Sequence, residues 1–168
     1  MKRMFARYIG ALLVALSYPL VYAVFSPLTL YSTYALTHIV WNPTIIDNTI
    51  QFSSASFTFI PACTAATAYI LLATLILVTR GIRIKQGIHM FLVGASAIFA
   101  MNILRILGLM YIYIEFGKNY FDAVHLIVWH AVSTLFVALV WIVLVEKNNI
   151  KSIPVYSDVQ DAINKMRT

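Results

Sequence analysis

The chain has 168 residues, 61% of them hydrophobic and 11% charged, with a formal net charge of +6 and a mean hydropathy of +0.85. A soluble domain carries roughly 25% charged residues, so the composition argues against a water-soluble globule and for lipid as solvent. The basic residues lie beside apolar stretches, so the positive charge reads as a topology signal and not as a nucleic-acid footprint.

Four apolar stretches are long enough to cross a hydrocarbon core of about 30 Å, which takes about 20 helical residues. The first covers residues 8–25, with Pro19 as a kink, and apolar character continues through 26–41 as an extension or an interfacial helix. The others cover 60–79, 88–114 and 124–145. Helices are the expected form, because in lipid each segment must satisfy its own backbone polar groups. The expectation is an all-α integral membrane protein with four transmembrane helices, one core over residues 1–146 and a tail over 147–168. The basic start, apolar run and Val21-Tyr22-Ala23 resemble a cleavable secretory signal, but bulky residues around that site favour a retained first helix.

Between the first two spans, residues 42–59 form an external loop. There Thr44-Ile45-Ile46, a turn at Asp47-Asn48 and Thr49-Ile50 have the pattern of a small hairpin. In the tail, Ser157 with Gln160 is a capping-box pair, and Val155, Val159 and Ile163 recur every four residues, as in a short amphipathic helix.

Basic residues set the orientation. Lys2, Arg3 and Arg7 precede the first span, Arg80, Arg83 and Lys85 join the second to the third, and Lys147, Lys151, Lys165 and Arg167 follow the fourth. Only Lys118 stands on the opposite side. The positive-inside rule then puts both termini in the cytoplasm of a multi-pass cell-membrane protein.

Cys63 is the single cysteine, so the chain has neither an internal disulfide nor a CxxC redox pair. His38, His89, His125 and His130 have no metal-ligand spacing, and no cofactor or metal is expected. Depth along each helix singles out three residues. Cys63 precedes Arg80 by 17 residues, about 26 Å at 1.5 Å per residue. Arg105 follows Lys85 by 20, about 30 Å, and His125 precedes Glu146 by 21, about 32 Å. A thiol, a guanidinium and an imidazole from three helices thus reach one external level.

An arginine inside an apolar span costs about 2.5–3.5 kcal/mol on insertion scales, so such residues usually face a bundle or wet cavity. Snorkelling of Arg105 to the outer headgroups is the plainer alternative. Asn102 lies three residues earlier, on the same helix face, where it can orient the guanidinium or a substrate carbonyl. A free cysteine is often a small hydrophobe. Cys63, however, follows Ile60-Pro61 in the expected first turn of a helix, where amide dipoles and a nearby cation favour thiolate. His125 opens the expected fourth helix, either as a solvated interfacial histidine or as the acid–base partner of Cys63. His130 is about 140° further round that helix and faces elsewhere. His38 and His89 read as interfacial, and Trp41, Trp129, Tyr111, Tyr113 and Tyr120 as interface belts and packing.

At these residues the sequence resembles the archaeosortase/exosortase family of membrane-embedded sorting enzymes. The resemblance rests on Pro61-Ala62-Cys63-Thr64-Ala65, Asn102-Ile103-Leu104-Arg105-Ile106 and Asp122-Ala123-Val124-His125, in order, over residues 57–144. Bacterial members have a glutamate two residues before the cysteine and a glycine two after, where this chain has Pro61 and Ala65; the Pro-Ala-Cys-Thr form is closer to archaeal members. The resemblance implies a cysteine transpeptidase acting on exported proteins that end in a transmembrane sorting signal. Cys63, Arg105 and His125 would be catalytic, Asn102 and Thr64 would orient substrate, and the acceptor would be an amine, plausibly of a membrane lipid. Two alternatives remain at the sequence level: an intramembrane cysteine protease delivering water, and a non-catalytic transporter or assembly subunit. Transporters commonly show internal repeats, and this sequence has none.

Overall fold

The computed structural model describes residues 2–53, 55–127 and 133–150, which form six α-helices, three short strands and one 3-10 turn. The chain is mostly helical. The expected tail helix around Val155–Ile163 lies outside the described residues.

α1 (Lys2–Leu16) and α2 (Tyr18–Val40) meet at a bend of 53°. The break falls at Ser17, just ahead of Pro19, whose ring lacks an N–H and collides with the preceding turn. Arg7 Nη2 donates to the Val78 carbonyl at 2.9 Å, so α1 runs antiparallel to α3 (Ala66–Val78). Residues 26–40 are the later part of α2, and Trp41 caps it. Thr29, Thr33 and Thr37, one turn apart, form a buried stripe against the rest of the bundle. Short side chains at such spacing let helices approach closely.

Beyond Val40 the chain makes the expected hairpin and then adds a strand. β1 (Thr44–Ile46) pairs antiparallel with β2 (Thr49–Gln51), and Asp47 turns at φ 52°. β3 (Ser56–Thr58) then pairs antiparallel with β2, giving the order β1-β2-β3. Ile50, fully buried, pins this sheet onto Leu30 of α2 and Ile106 and Met110 of α4 (Ile84–Phe116).

The apolar stretch over 60–79 is not one helix. It begins with the 3-10 turn Pro61–Thr64, passes through Ala65 at φ 55°, and becomes α3 for only 13 residues. The stretch over 124–145 falls on the end of α5 (Lys118–Ile127) and on α6 (Ser133–Lys147), with 128–132 outside the described residues. α4 is the single described helix long and apolar enough to cross a membrane, joined by a second if the bent α1–α2 pair is one span. It is 33 residues long, about 50 Å. Gly117, at φ 83°, stops it and turns the chain into α5, a conformation open to glycine at little cost.

The core lies between α3, α4 and α6, around Tyr69, Leu72, Met90 and Val137. Tyr69 also stacks on Phe25 of α2 at 3.8 Å between centroids. At the far end, Trp141 Nε1 donates to Thr79 Oγ1 (3.3 Å) and Gln86 Nε2 to Asn148 Oδ1 (3.2 Å). Arg80, Arg83 and Lys85 gather there, around one open cavity with Asn148. Outward faces are apolar on every long helix: Leu12 and Leu13 on α1, Leu20 on α2, Leu92 on α4, Leu135 and Ile142 on α6 are all exposed.

Gly94 faces a filled part of the core. A Cβ there would stand 2.6 Å from Leu72 Cδ2 and 3.0 Å from Leu144 Cδ1. Leu72 is itself fully buried and has no room to retreat. Gly94→Val is expected to cost about 1–3 kcal/mol, as overpacking of a filled core does. Thermal unfolding of the purified protein in detergent should show a lower midpoint; an unchanged midpoint would contradict this packing.

Candidate active site

Cys63 sits in the 3-10 turn Pro61–Thr64, not in the first turn of α3. Ala65 separates the two in the left-handed region, which costs an L-residue about 1–2 kcal/mol. The expected contribution of helix amides to Cys63 therefore gives way to side chains from α4.

Two of those side chains hold the turn. Asn102 Nδ2 donates to the Cys63 carbonyl at 2.8 Å, and Arg105 Nη2 to the Ala62 carbonyl at 3.5 Å. Three residues apart, they share one helix face and take consecutive carbonyls. Asn102 is buried, and its Oδ1 has no hydrogen-bond partner among the described residues. It holds the cysteine backbone and is not a wall of the cavity beside the thiol. The Arg105 guanidinium also lies within electrostatic range of the Cys63 sulfur. Its side chain is half-buried.

His125 does not open a helix; it lies in the last turn of α5. Lys118 and Asp122 pair across the first turns of α5 at 2.5 Å, and that hydrogen bond and charge hold the lysine above its ordinary range. The pair is solvent-exposed and adds little stability. The His125 ring stacks on Phe121 (5.3 Å, 14°), and Phe121 meets Tyr113 edge-on at 5.5 Å. The edge-on series runs on through Phe57, Phe52 and Trp41. An aromatic chain thus links the sheet to the imidazole.

Cys63, Arg105 and His125 line one cavity of about 250 Å³. Its other walls are Ser56–Phe59 of the β3 segment, Ile106, Leu109, Met110 and Tyr113 of α4, and Phe121 of α5. Thiol, guanidinium and imidazole come from three separate elements, as depth along the chain suggested. The arrangement has the parts of Cys–His nucleophilic chemistry: a nucleophile, a proton carrier and a fixed cation for developing negative charge.

Other expected residues fall elsewhere. Thr64 is buried and is not a wall of the cavity. Tyr113, read as interface belt, is a cavity wall instead. His38 and His89 are exposed, while Trp129 and His130 lie outside the described residues. The walls from β3 and the Phe121 shelf were missed. Phe57 and Phe59, alternating with Ser56 and Thr58, were the signal available for the strand. Among the described residues no cluster of His, Cys, Asp and Glu is arranged to hold a metal.

No protein-family profile, characterised protein sequence or solved structure matches this chain.

Three substitutions at two positions test the turn. Asn102→Ala removes a buried donor and leaves the Cys63 carbonyl unmet, at about 1–3 kcal/mol. It should lower the unfolding midpoint and alter the alkylation rate of Cys63 by N-ethylmaleimide. Ala65→Gly relieves the left-handed strain and should hold or raise the midpoint, whereas Ala65→Val, β-branched, should lower it. Equal midpoints for both would contradict the turn geometry.

Proposed function

We propose that this protein is a membrane-embedded cysteine transpeptidase of the archaeosortase/exosortase type. The observation that carries the reading is the single cavity lined by Cys63, Arg105 and His125. In this reading the bundle crosses the membrane four times. The end bearing Arg80, Arg83 and Lys85 is cytoplasmic, and the end bearing the sheet and cavity is external. The exposed leucines and isoleucines of α1, α2, α4 and α6 support a lipid-facing surface, since soluble monomers rarely expose large apolar patches. Further support comes from Ala65. Its positive φ is the conformation glycine accepts most readily, and bacterial members of the family have glycine there.

The substrate is an exported protein whose C-terminal apolar helix holds a peptide bond at the external rim. His125 takes the Cys63 proton, and the sulfur attacks the scissile carbonyl carbon, forming a C–S bond. Negative charge moves to the carbonyl oxygen, where Arg105 stabilises it. As the intermediate collapses the C–N bond breaks, and His125 passes its proton to the departing amine, releasing the C-terminal helix. The thioester is then attacked by an acceptor amine, plausibly of a lipid headgroup. A new C–N bond forms, the C–S bond breaks, and the amine's surplus proton returns through His125 to the sulfur. Asn102 acts only through the backbone of Cys63.

The test is processing of a co-expressed exported protein ending in an apolar helix and a basic cluster. Cys63→Ala should insert normally and abolish processing, and Arg105→Lys should slow it by about 10²-fold or more, as loss of an oxyanion donor does. Mass spectrometry should find the new C-terminus joined to an amine. Unimpaired processing by Cys63→Ala would overturn the assignment, and a free carboxylate would make the enzyme a hydrolase.

A further inference from the structure

β3 borders the Cys63 cavity with one edge unpaired. Among the described residues, the strand order β1-β2-β3 leaves its second side without a strand partner. Phe59 N–H donates to the Asn48 carbonyl (2.7 Å), and Phe52 N–H to the Ala55 carbonyl (2.8 Å). In an antiparallel ladder these bonds fix the alternation: Ala55, Phe57 and Phe59 turn their backbone groups toward β2. Ser56 and Thr58 therefore turn N–H and C=O outward, and both residues are exposed. Natural sheets blunt an edge by keeping the strand short or with lysine, proline or a bulge. β3 is short, three residues, and Ser56-Phe57-Thr58 carries no lysine or proline to refuse a further strand.

We propose that this edge is a docking strand, and that its occupant is the extended peptide segment beside the bond that Cys63 attacks. The proposal rests on the transpeptidase reading and extends it to substrate recognition. Outward donors and acceptors recurring every second residue are complementary to an extended peptide backbone. A helix has already spent its backbone groups internally, and a lipid chain has none. The edge is also continuous with the reactive centre, because Ser56–Phe59 and Cys63 are walls of the same cavity. A strand added to β3 offers its backbone to Ser56 and Thr58. It turns alternate side chains toward Ile106, Leu109 and Met110, which form an apolar wall. The recognised segment is thus three or four residues long, with an apolar side chain at one of two alternating positions. Specificity resides in that side chain, and affinity in backbone pairing.

The test uses the detergent-purified full chain and an acetylated Thr-Val-Thr-Val chloromethyl ketone, which alkylates Cys63 with loss of chloride. Mass spectrometry gives the labelling rate. Two analogues are N-methylated, one at the first and third amides, the other at the second and fourth. One analogue should label at least tenfold more slowly than the parent and the other within about twofold, because only one set of amides faces β3. Thr58→Pro removes an outward N–H and leaves the backbone bonds to β2 in place, losing only the exposed Thr58–Thr49 hydroxyl contact (3.0 Å), and should slow the parent peptide at least tenfold. N-Ethylmaleimide should still label Cys63 in Thr58→Pro, which reports an intact cavity; if it does not, the methylated pair decides alone. Equal rates for the three peptides, or no labelling by any, would overturn the docking strand. The transpeptidase reading is decided separately by processing in Cys63→Ala, so either result can fail while the other stands.

Discussion

The site depends on two side chains one turn apart on α4. Asn102 and Arg105 hold the consecutive carbonyls of Cys63 and Ala62. The segment they hold is a single 3-10 turn ending in a strained Ala65, with little regular structure of its own. Each such hydrogen bond contributes only about 0.5–1.5 kcal/mol net, but leaving a buried partner unmet costs more, about 1–3 kcal/mol. A rigid 33-residue helix thereby sets where the sulfur stands. It also brings Arg105 into the same cavity, so one element both seats the nucleophile and supplies the charge beside it.

The imidazole is held differently. α5 is short and joined to α4 through Gly117, and its described histidine is steadied by ring contacts. The series from Trp41 through Phe52, Phe57, Tyr113 and Phe121 to His125 crosses from sheet to helix. Edge-on aromatic pairs are worth about 0.5–1.5 kcal/mol beyond their burial. The sheet is thus both a wall of the cavity and a brace for the proton carrier. Its position over α2 and α4 is set by one buried residue, Ile50.

Much of this was legible in the sequence, for identifiable reasons. Counting residues from the basic clusters suggested similar levels for Cys63 and Arg105, which do share a cavity, although the count treated residues 63–65 as regular helix. The Asn102–Arg105 face followed from helical spacing, and the hairpin from Asp47-Asn48 between apolar pairs. The break before α3 was not legible, since Ala65 in the left-handed region lacks the glycine that ordinarily announces it. His125 was expected to open a helix, whereas α5 already begins at Lys118, because Lys118 to Asp122 is polar enough to read as loop. The role of Thr29, Thr33 and Thr37 was hidden by polarity: as a buried stripe they join helices, whereas in sequence they interrupt an apolar face. Spacing could not show that Asn102 meets the Cys63 carbonyl or that Thr64 is buried, because both depend on how the turn seats on α4.

The claim on which the account turns is that Cys63 and His125 face each other across one cavity. Cross-linking measures this most directly. His125→Cys, in a chain retaining Cys63, should be bridged by a bis-methanethiosulfonate reagent of about two carbons, giving one intramolecular adduct by mass spectrometry. Tyr111→Cys, exposed on α4 and outside the cavity, should not be bridged under the same conditions. Bridging at both positions, or at neither, would contradict the account.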